Sequence, residues 1–158
     1  MLFRSSQSQS THQPEFLPDK FEIGTLNTPG IAGLFSGLAY INNRGLANIR
    51  ESEQYLTKTF IDELLNIESI KVYGTKDAVK STATVSINST KIDNSELGYI
   101  LDNEYGIMVR TGLHCAPLAH KSIGTFPQGT LRFSFGPFND IKDINYTVNA
   151  LNSILKNK

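Results

Sequence analysis

Apolar residues recur at helical spacing in the first half of the chain, in two stretches bounded by residues typical of helix ends. Thr28 is expected to be the N-cap of a first helix, and Pro29 suits its first helical position. Gly45 is expected to end that helix, and a second, longer helix should follow from Leu46. The apolar stripe of the first helix is Ile31, Leu34, Phe35, Leu38 and Ile41, and that of the second is Leu46, Ile49, Leu56, Phe60, Leu64 and Ile67.

Two further helical patterns lie in the second half of the chain. Asp93 and Glu96 are spaced as in a capping box and precede apolar residues at helical spacing, in a helix expected to stop at Gly106. Asn139 is expected to cap a last helix. The apolar stripe of that helix is Ile141, Ile144, Val148, Leu151 and Leu155.

Short β-prone stretches between these helices predict strands at residues 70–73, 82–87, 107–111 and 130–135. Apolar and polar residues alternate in the last of them. Its Leu131, Phe133 and Phe135 should therefore share one face, and its Thr130, Arg132 and Ser134 the other.

The order of these elements indicates an α+β domain, with helices packed on one face of a small, largely antiparallel sheet. Residues 113–129 form a long loop between the last two strands, and loops longer than about 12 residues in a compact domain are often functional. Residues 1–20 begin with a serine- and glutamine-rich tract and are expected to form a flexible polar arm.

The composition excludes several classes of function. Lysine plus arginine and aspartate plus glutamate both number 15, so the net charge of zero does not favour binding to nucleic acid or to an anionic membrane. No apolar run reaches the roughly 18 residues of a spanning helix, and the first residues do not resemble a secretory signal. We therefore expect a cytoplasmic protein, and a length of 158 residues suits one folded domain.

The long loop contains the only cysteine of the chain, Cys115, which excludes an intrachain disulfide and a cysteine-rich zinc site. A nucleophilic or sulfur-carrying cysteine needs an exposed position and nearby positive charge, which favours the thiolate. A lone cysteine is also commonly a small buried hydrophobe. His114 and Cys115 are adjacent and would seldom point at one ion, so no metal site is predicted. The cationic side chains around the cysteine are those of Arg110, His114, His120 and Lys121.

Two other features could bind anions. Arg132, on the polar face of its strand, could hold a carboxylate through paired hydrogen bonds, although a surface arginine is the commoner fate. Residues 24–28 precede a helix N-terminus, where hydroxyl and backbone N–H groups suit a phosphate, although they could also form only a turn and a cap.

Three stretches together resemble one family. Residues 17–31, 110–117 and 129–136 resemble, in order and separation, the C-terminal portion of a cysteine desulfurase, a pyridoxal-phosphate enzyme of the class V aminotransferase group. The resemblance runs from about Gln13 to the end of the chain and implies the C-terminal small domain of a fold-type I pyridoxal-phosphate enzyme. Residues 21–45 then correspond to the remnant and connecting segment of the cofactor domain, and residues 46–158 to the small domain with the nucleophilic cysteine loop.

The resemblance also implies roles for individual residues. Cys115 matches the nucleophile that takes sulfur from L-cysteine, leaving L-alanine and an enzyme persulfide, and Arg132 matches the arginine that holds the substrate carboxylate. Thr25, accompanied by Gly24, matches a threonine that reaches the cofactor phosphate of the partner subunit in a homodimer. The persulfide would pass to a sulfur-acceptor protein, as in iron–sulfur cluster assembly. Arg110 and His114 match residues that flank the nucleophile in the active-site loop.

The chain departs from the family in its length. Family members are roughly twice as long or more, and their Schiff-base lysine lies in a domain upstream of this stretch. Lys121 follows a histidine but lies in ordinary loop, so it is not expected to be the cofactor lysine. We therefore expect a fragment, a truncated product or one half of a split enzyme, with no covalent pyridoxal phosphate and no desulfuration by this chain alone. A non-catalytic dimerisation or docking module and a free-standing thiol sulfur carrier remain the alternatives.

Overall fold

The computed structural model describes residues 11–12, 14–22 and 24–158, and these form parts of two compact units, Met1–Gly45 and Leu46–Lys158. Most of the predicted polar arm lies outside the described residues. Helix α1 is the main element of the first unit, and the sheet and the remaining helices belong to the second. No helix in the described part of the chain is long and apolar enough to cross a membrane.

Helix α1 spans Thr28–Arg44 and is capped one residue earlier than predicted. The Asn27 side chain accepts a hydrogen bond of 3.1 Å from the backbone N–H of Gly30, which makes Asn27 the N-cap and Thr28 the first helical residue. Gly45 ends the helix as predicted, with a φ of 83° that favours glycine. The predicted apolar stripe is present but exposed, and none of the described residues of α1 is buried.

The second unit contains four helices and four strands. Its elements are α2 (Leu46–Leu65), β1 (Ile70–Tyr73), β2 (Thr84–Ser89), α3 (Asn94–Tyr105), β3 (Arg110–Gly112), α4 (Pro117–Ser122), β4 (Thr130–Ser134) and α5 (Ile141–Lys156). The described strands form one sheet in the order β1-β2-β4-β3, with every neighbouring pair antiparallel. The predicted α+β fold is therefore confirmed.

The helix ends confirm one predicted cap and correct another. Asp93 caps α3 by accepting a hydrogen bond from Ser95 N at 2.7 Å, and Gly106 ends this helix with a left-handed φ of 65°. The cap of α5 is Asp140, not Asn139. Asp140 and Asp143 satisfy each other's backbone N–H groups in a capping box, while the Asn139 amide donates to the Asp143 carboxylate. The Asp140 carboxylate is the side chain that reaches the free N–H groups of Lys142 and Asp143, at 2.7 Å and 3.3 Å.

Two strands and one loop differ from the sequence-based expectation. β3 was predicted over 107–111, but the chain at Ile107 still bonds back to the end of α3, so pairing with β4 starts only at Arg110. β2 begins two residues later than predicted, where Thr84 pairs with Ser134. The loop over 113–129 contains the short helix α4, which the sequence analysis missed.

The core lies between the helices and one face of the sheet. Phe60 of α2 is fully buried and contacts two rings of the β4 segment edge-on, Phe133 at 5.0 Å and Phe135 at 5.2 Å between centroids. Burial of a large apolar side chain contributes about 1.5–3 kcal/mol, so these contacts strongly determine which face of β4 points inward. The same alternation places Arg132 on the opposite, polar face of the sheet.

Candidate functional site

The cysteine sits at the tip of a tight turn. The chain leaves β3 through Gly112, whose φ is 96°, and the backbone N–H of Ala116 donates to the carbonyl of Leu113 at 2.8 Å. The two central residues of this turn, His114 and Cys115, have φ values of 50° and 58°. Positive φ at both central positions is typical of a type I′ turn, which normally uses glycine, asparagine or aspartate. The turn leaves Cys115 exposed and its thiol accessible.

The base of the loop is closed by backbone contact between its two ends. Gly129 lies against Gly112, and a Cβ atom at residue 129 would fall 2.1 Å from the Gly112 carbonyl carbon. Two amide side chains hold the Gly129 carbonyl in place: Asn88 donates to it at 3.2 Å, and the buried Asn94 donates to it at 3.4 Å. Asn94 also donates to the Asn88 side chain, so the two amides form a connected clamp. The next residue, Thr130, is the first of β4, so this clamp holds the chain at the point where the strand begins.

His114 connects the turn to the sheet. Its Nε2 lies 3.2 Å from the hydroxyl oxygen of Thr130, a residue with no solvent exposure. Its Nδ1 is buried and has no hydrogen-bond partner among residues 11–12, 14–22 and 24–158. The imidazole ring also packs against that of His120, with 5.6 Å between ring centroids. The residue before the nucleophile candidate is therefore held from two sides.

The surroundings of His114 keep its imidazole uncharged. Burial lowers the pKa of His114 below its ordinary value of 6.5. The positive charges of Arg132, His120 and Arg110, in that order, lower the pKa of this histidine further, because they disfavour a second positive charge nearby. At neutral pH the side chain therefore has a free lone pair and can accept a proton.

Two arginines lie directly opposite each other on the polar face of the sheet. Arg110 of β3 pairs with Arg132 of β4, and Arg132 also pairs with Ser86 of β2. Like charges directly opposite each other are unfavourable in a sheet, and no described carboxylate forms an ion pair with either arginine. The Nε of Arg132 is buried without a partner in the described part of the chain. An anionic ligand with a planar carboxylate would satisfy both the charges and this donor.

The predicted phosphate-binding residues lie in the first unit. Gly24 has a φ of 86°, and Thr25 follows it three residues before α1 begins. The side chain of Thr25 is exposed, and its hydroxyl makes no hydrogen bond with any described residue, so it can donate to a phosphate oxygen.

Lys121, the lysine that follows a histidine in the cysteine loop, makes a cation–π contact. Its ammonium group lies 5.0 Å from the centre of the Phe126 ring. Within the described ranges no group of His, Cys, Asp and Glu residues could hold a metal ion.

The site also contains residues that sequence analysis missed. Thr130 was expected only as part of a polar strand face, but it has no solvent exposure and its hydroxyl lies 3.2 Å from Nε2 of His114. His120 was noted only for its charge, but it is the one buried residue of α4. Asn88 and Asn94 carried no signal, since they lie 41 and 35 residues from the glycine carbonyl that they hold.

Comparisons with known proteins agree with the fold and the motifs. The family model described as aminotransferase class-V matches residues 2–147. A probable cysteine desulfurase of Pyrococcus abyssi is 33% identical over 139 residues, which are 88% of this chain and 34% of that protein. A cysteine desulfurase of Escherichia coli O157:H7 is 40% identical over 99 residues, 63% of this chain and 23% of that protein.

A solved structure gives the same result. The apo structure of a cysteine desulfurase from Thermococcus onnurineus NA1 superposes with a TM-score of 0.81 at 33% identity, over 89% of this chain and 34% of that one. The chain thus spans about a third of the length of these relatives, 34% in both the Pyrococcus and the Thermococcus proteins. From its motifs, its fold and these matches, the chain belongs to the class-V aminotransferase family and corresponds to part of a cysteine desulfurase.

Proposed function

We propose that this chain supplies the sulfur-accepting cysteine and the substrate-binding arginine of a cysteine desulfurase. The observation that carries the proposal is the presentation of Cys115 at the exposed tip of a turn held by His114. His114 in turn lies near Arg110 and Arg132, which form no ion pair with any described carboxylate. Desulfuration needs these elements: an accessible thiol to take the sulfur and fixed positive charge to hold the amino-acid carboxylate.

The cofactor of the proposed reaction is pyridoxal phosphate. The exposed hydroxyl of Thr25, which bonds to no described residue, and the left-handed backbone of Gly24 fit a phosphate group, and we assign them to the cofactor of a partner subunit in a homodimer. Pyridoxal phosphate, when bound, supplies the electron sink that weakens the carbon–sulfur bond of L-cysteine. Because Lys121 is engaged with Phe126, we assign the cofactor's lysine to another part of the complete enzyme, and we expect this chain alone neither to hold the cofactor covalently nor to desulfurate cysteine.

Each site residue then has one task. Arg132, with Arg110 beside it, holds the carboxylate of L-cysteine through charge-assisted hydrogen bonds. The neutral imidazole of His114 can accept a proton as the Cys115 thiol becomes a thiolate. The Cys115 thiolate attacks the sulfur of the substrate, so that a sulfur–sulfur bond forms as the carbon–sulfur bond breaks. The electron pair of the broken bond stays with the carbon skeleton, which takes up a proton and leaves as L-alanine. A sulfur-acceptor protein would then attack the outer sulfur of the persulfide.

The proposal is tested by combining the chain with a separately purified pyridoxal-phosphate domain of a cysteine desulfurase and L-cysteine. We expect mass spectrometry to find one added sulfur atom on Cys115, together with equimolar L-alanine in a single turnover. The Cys115→Ser variant should form no persulfide, and the Arg132→Gln variant should need much more L-cysteine for the same rate. Alanine production that is unchanged in Cys115→Ala would refute the proposal.

The exposed face of α1 favours a second candidate, a dimerisation or docking module. Five large apolar side chains at helical spacing are at least 39% exposed in the described chain, and such a stripe usually packs against another surface. These residues are Ile31, Leu34, Phe35, Leu38 and Ile41. Size-exclusion chromatography with a full-length relative separates the candidates, since a pure docking module would associate but leave Cys115 without sulfur.

A further inference from the structure

His120 is buried on a short helix that is otherwise exposed. It has 5% of its surface accessible, whereas every other residue of α4 is exposed. A buried imidazole needs hydrogen-bond partners, and its Nδ1 lies 2.7 Å from the hydroxyl oxygen of Thr125. The same hydroxyl donates to the backbone carbonyl of His120 at 3.4 Å. The shorter of these two contacts, between Nδ1 of His120 and the Thr125 hydroxyl, defines the orientation of the ring.

The backbone of His120 is held as firmly as its ring. Its carbonyl accepts from the N–H groups of Thr125 at 2.9 Å and Phe126 at 3.2 Å. Thr125 in turn accepts from Gly129 N at 2.7 Å, and Gly129 contacts the start of the loop. His120 is therefore tied to the closed base of the loop through Thr125.

The ring of His120 lies against the turn that presents Cys115. It contacts His114 at 5.6 Å between centroids with the planes tilted by 49°. His114 and Cys115 are both in the left-handed region, which costs about 1–2 kcal/mol for each non-glycine residue. Such a conformation persists only where its surroundings hold it. The available restraints on His114 are its bond to Thr130 on one side and the His120 ring on the other.

We propose that His120, oriented by Thr125, is a positioning residue that clamps His114 and thereby keeps Cys115 in its exposed left-handed conformation. Its consequence for catalysis rests on the proposed function, since it acts through the sulfur-accepting cysteine. The charged and titratable groups that face His114 are Arg132 on β4, Arg110 on β3 and His120 itself on α4. His120 is the one of these groups whose ring packs against that of His114.

The test uses the folded chain without cofactor or sulfur donor. In His120→Asn the asparagine amide can still donate to Thr125, but the ring that contacts His114 is lost. We expect the backbone ¹⁵N order parameters of His114 and Cys115 to fall from about 0.85 to below about 0.6. We also expect the pKa of His114, measured by NMR, to rise in this variant, because loss of the covering ring exposes the His114 imidazole to water.

Matched variants separate positioning from general loss of structure. Thr125→Val keeps the shape of the side chain but removes its hydroxyl, so residues 114 and 115 should be mobile in this variant, as in His120→Asn. Thr125→Ser keeps the hydroxyl, so the same residues should stay rigid. Ser122→Ala, on the exposed side of α4, should leave both residues rigid. If His120→Asn fails to fold, the Thr125→Val and Thr125→Ser pair decides the matter alone.

The proposal is overturned if residues 114 and 115 stay rigid in both His120→Asn and Thr125→Val. Neither measurement involves sulfur transfer. If residues 114 and 115 stayed rigid in these variants, the desulfurase proposal would still stand. If Cys115 formed no persulfide, the positioning role of His120 would still stand.

Discussion

The backbone of Gly129 touches the backbone of Gly112, so that a Cβ atom on Gly129 would come within 2.1 Å of the Gly112 carbonyl oxygen. This contact joins the two ends of the loop that carries Cys115. Its consequence is that the loop starts and ends at one place on the sheet, beside the paired arginines of β3 and β4. Residues far along the chain from the cysteine therefore help to determine where the thiol stands.

The Gly129→Ala variant should be strongly destabilised. Residue 129 has a φ of 76°, and the added methyl group would overlap the Gly112 backbone. Gly124→Ala is the matched control, since residue 124 has a φ of 72° but open space around its Cα. We expect Gly124→Ala to lose about 1–2 kcal/mol in the free energy of unfolding, measured with denaturant, and Gly129→Ala to lose clearly more. Equal losses would mean that the contact between the loop ends is not needed.

The left-handed turn predicts an unusual order of stability at the cysteine. Cys115→Gly should be more stable than Cys115→Ala by about 1 kcal/mol, because glycine adopts a φ of 58° without strain. At Ala119, within helix α4, the change to glycine should instead destabilise by about 1 kcal/mol. Thermal or denaturant unfolding of the three variants measures these differences. A Cys115→Gly variant less stable than Cys115→Ala would contradict the left-handed turn.

The depressed pKa of His114 predicts a pH dependence of stability. Because the folded-state pKa lies below the ordinary value of 6.5, the unfolded chain binds the proton first as the pH falls. The free energy of unfolding should therefore be highest above the unfolded pKa and should decrease as the pH falls below it, down to the folded pKa. In His114→Asn, which keeps a residue that tolerates positive φ, this part of the decrease should disappear. Denaturant unfolding between about pH 7 and about pH 5 measures both proteins, and identical slopes would count against the lowered pKa.

The two arginines that lie opposite each other should lower the stability of the protein when no anion is bound between them. Arg110→Gln should raise the free energy of unfolding by about 0.2–1 kcal/mol, because it removes a like charge directly opposite Arg132. The gain should shrink as salt is added. Lys76→Gln removes a charge from an exposed position away from the strands and should have little effect. If Arg110→Gln is destabilising at low salt, the two guanidinium groups do not repel each other as their pairing implies.

Much of the fold could be predicted because it depends on local patterns. The alternation in residues 130–135 correctly divided β4 into a buried face with Leu131 and Phe133 and a polar face with Arg132. The helix end at Gly106 followed from the need for a left-handed residue there. The caps at residues 27 and 140 were each missed by one position, since adjacent polar side chains have similar propensities and only the backbone geometry selects between them.

The sequence by itself determined the α+β class, the inward face of β4, the only thiol of the chain and the arginine proposed to bind substrate. These features follow from residue type and short-range periodicity. Only the tertiary structure decided that His114 and Cys115 adopt left-handed conformations, that His120 is buried against His114, and that Asn88 and Asn94 clamp Gly129. The physical reason is that each of these features depends on groups brought together by folding, whose combined contacts offset local strain that no single residue would tolerate alone.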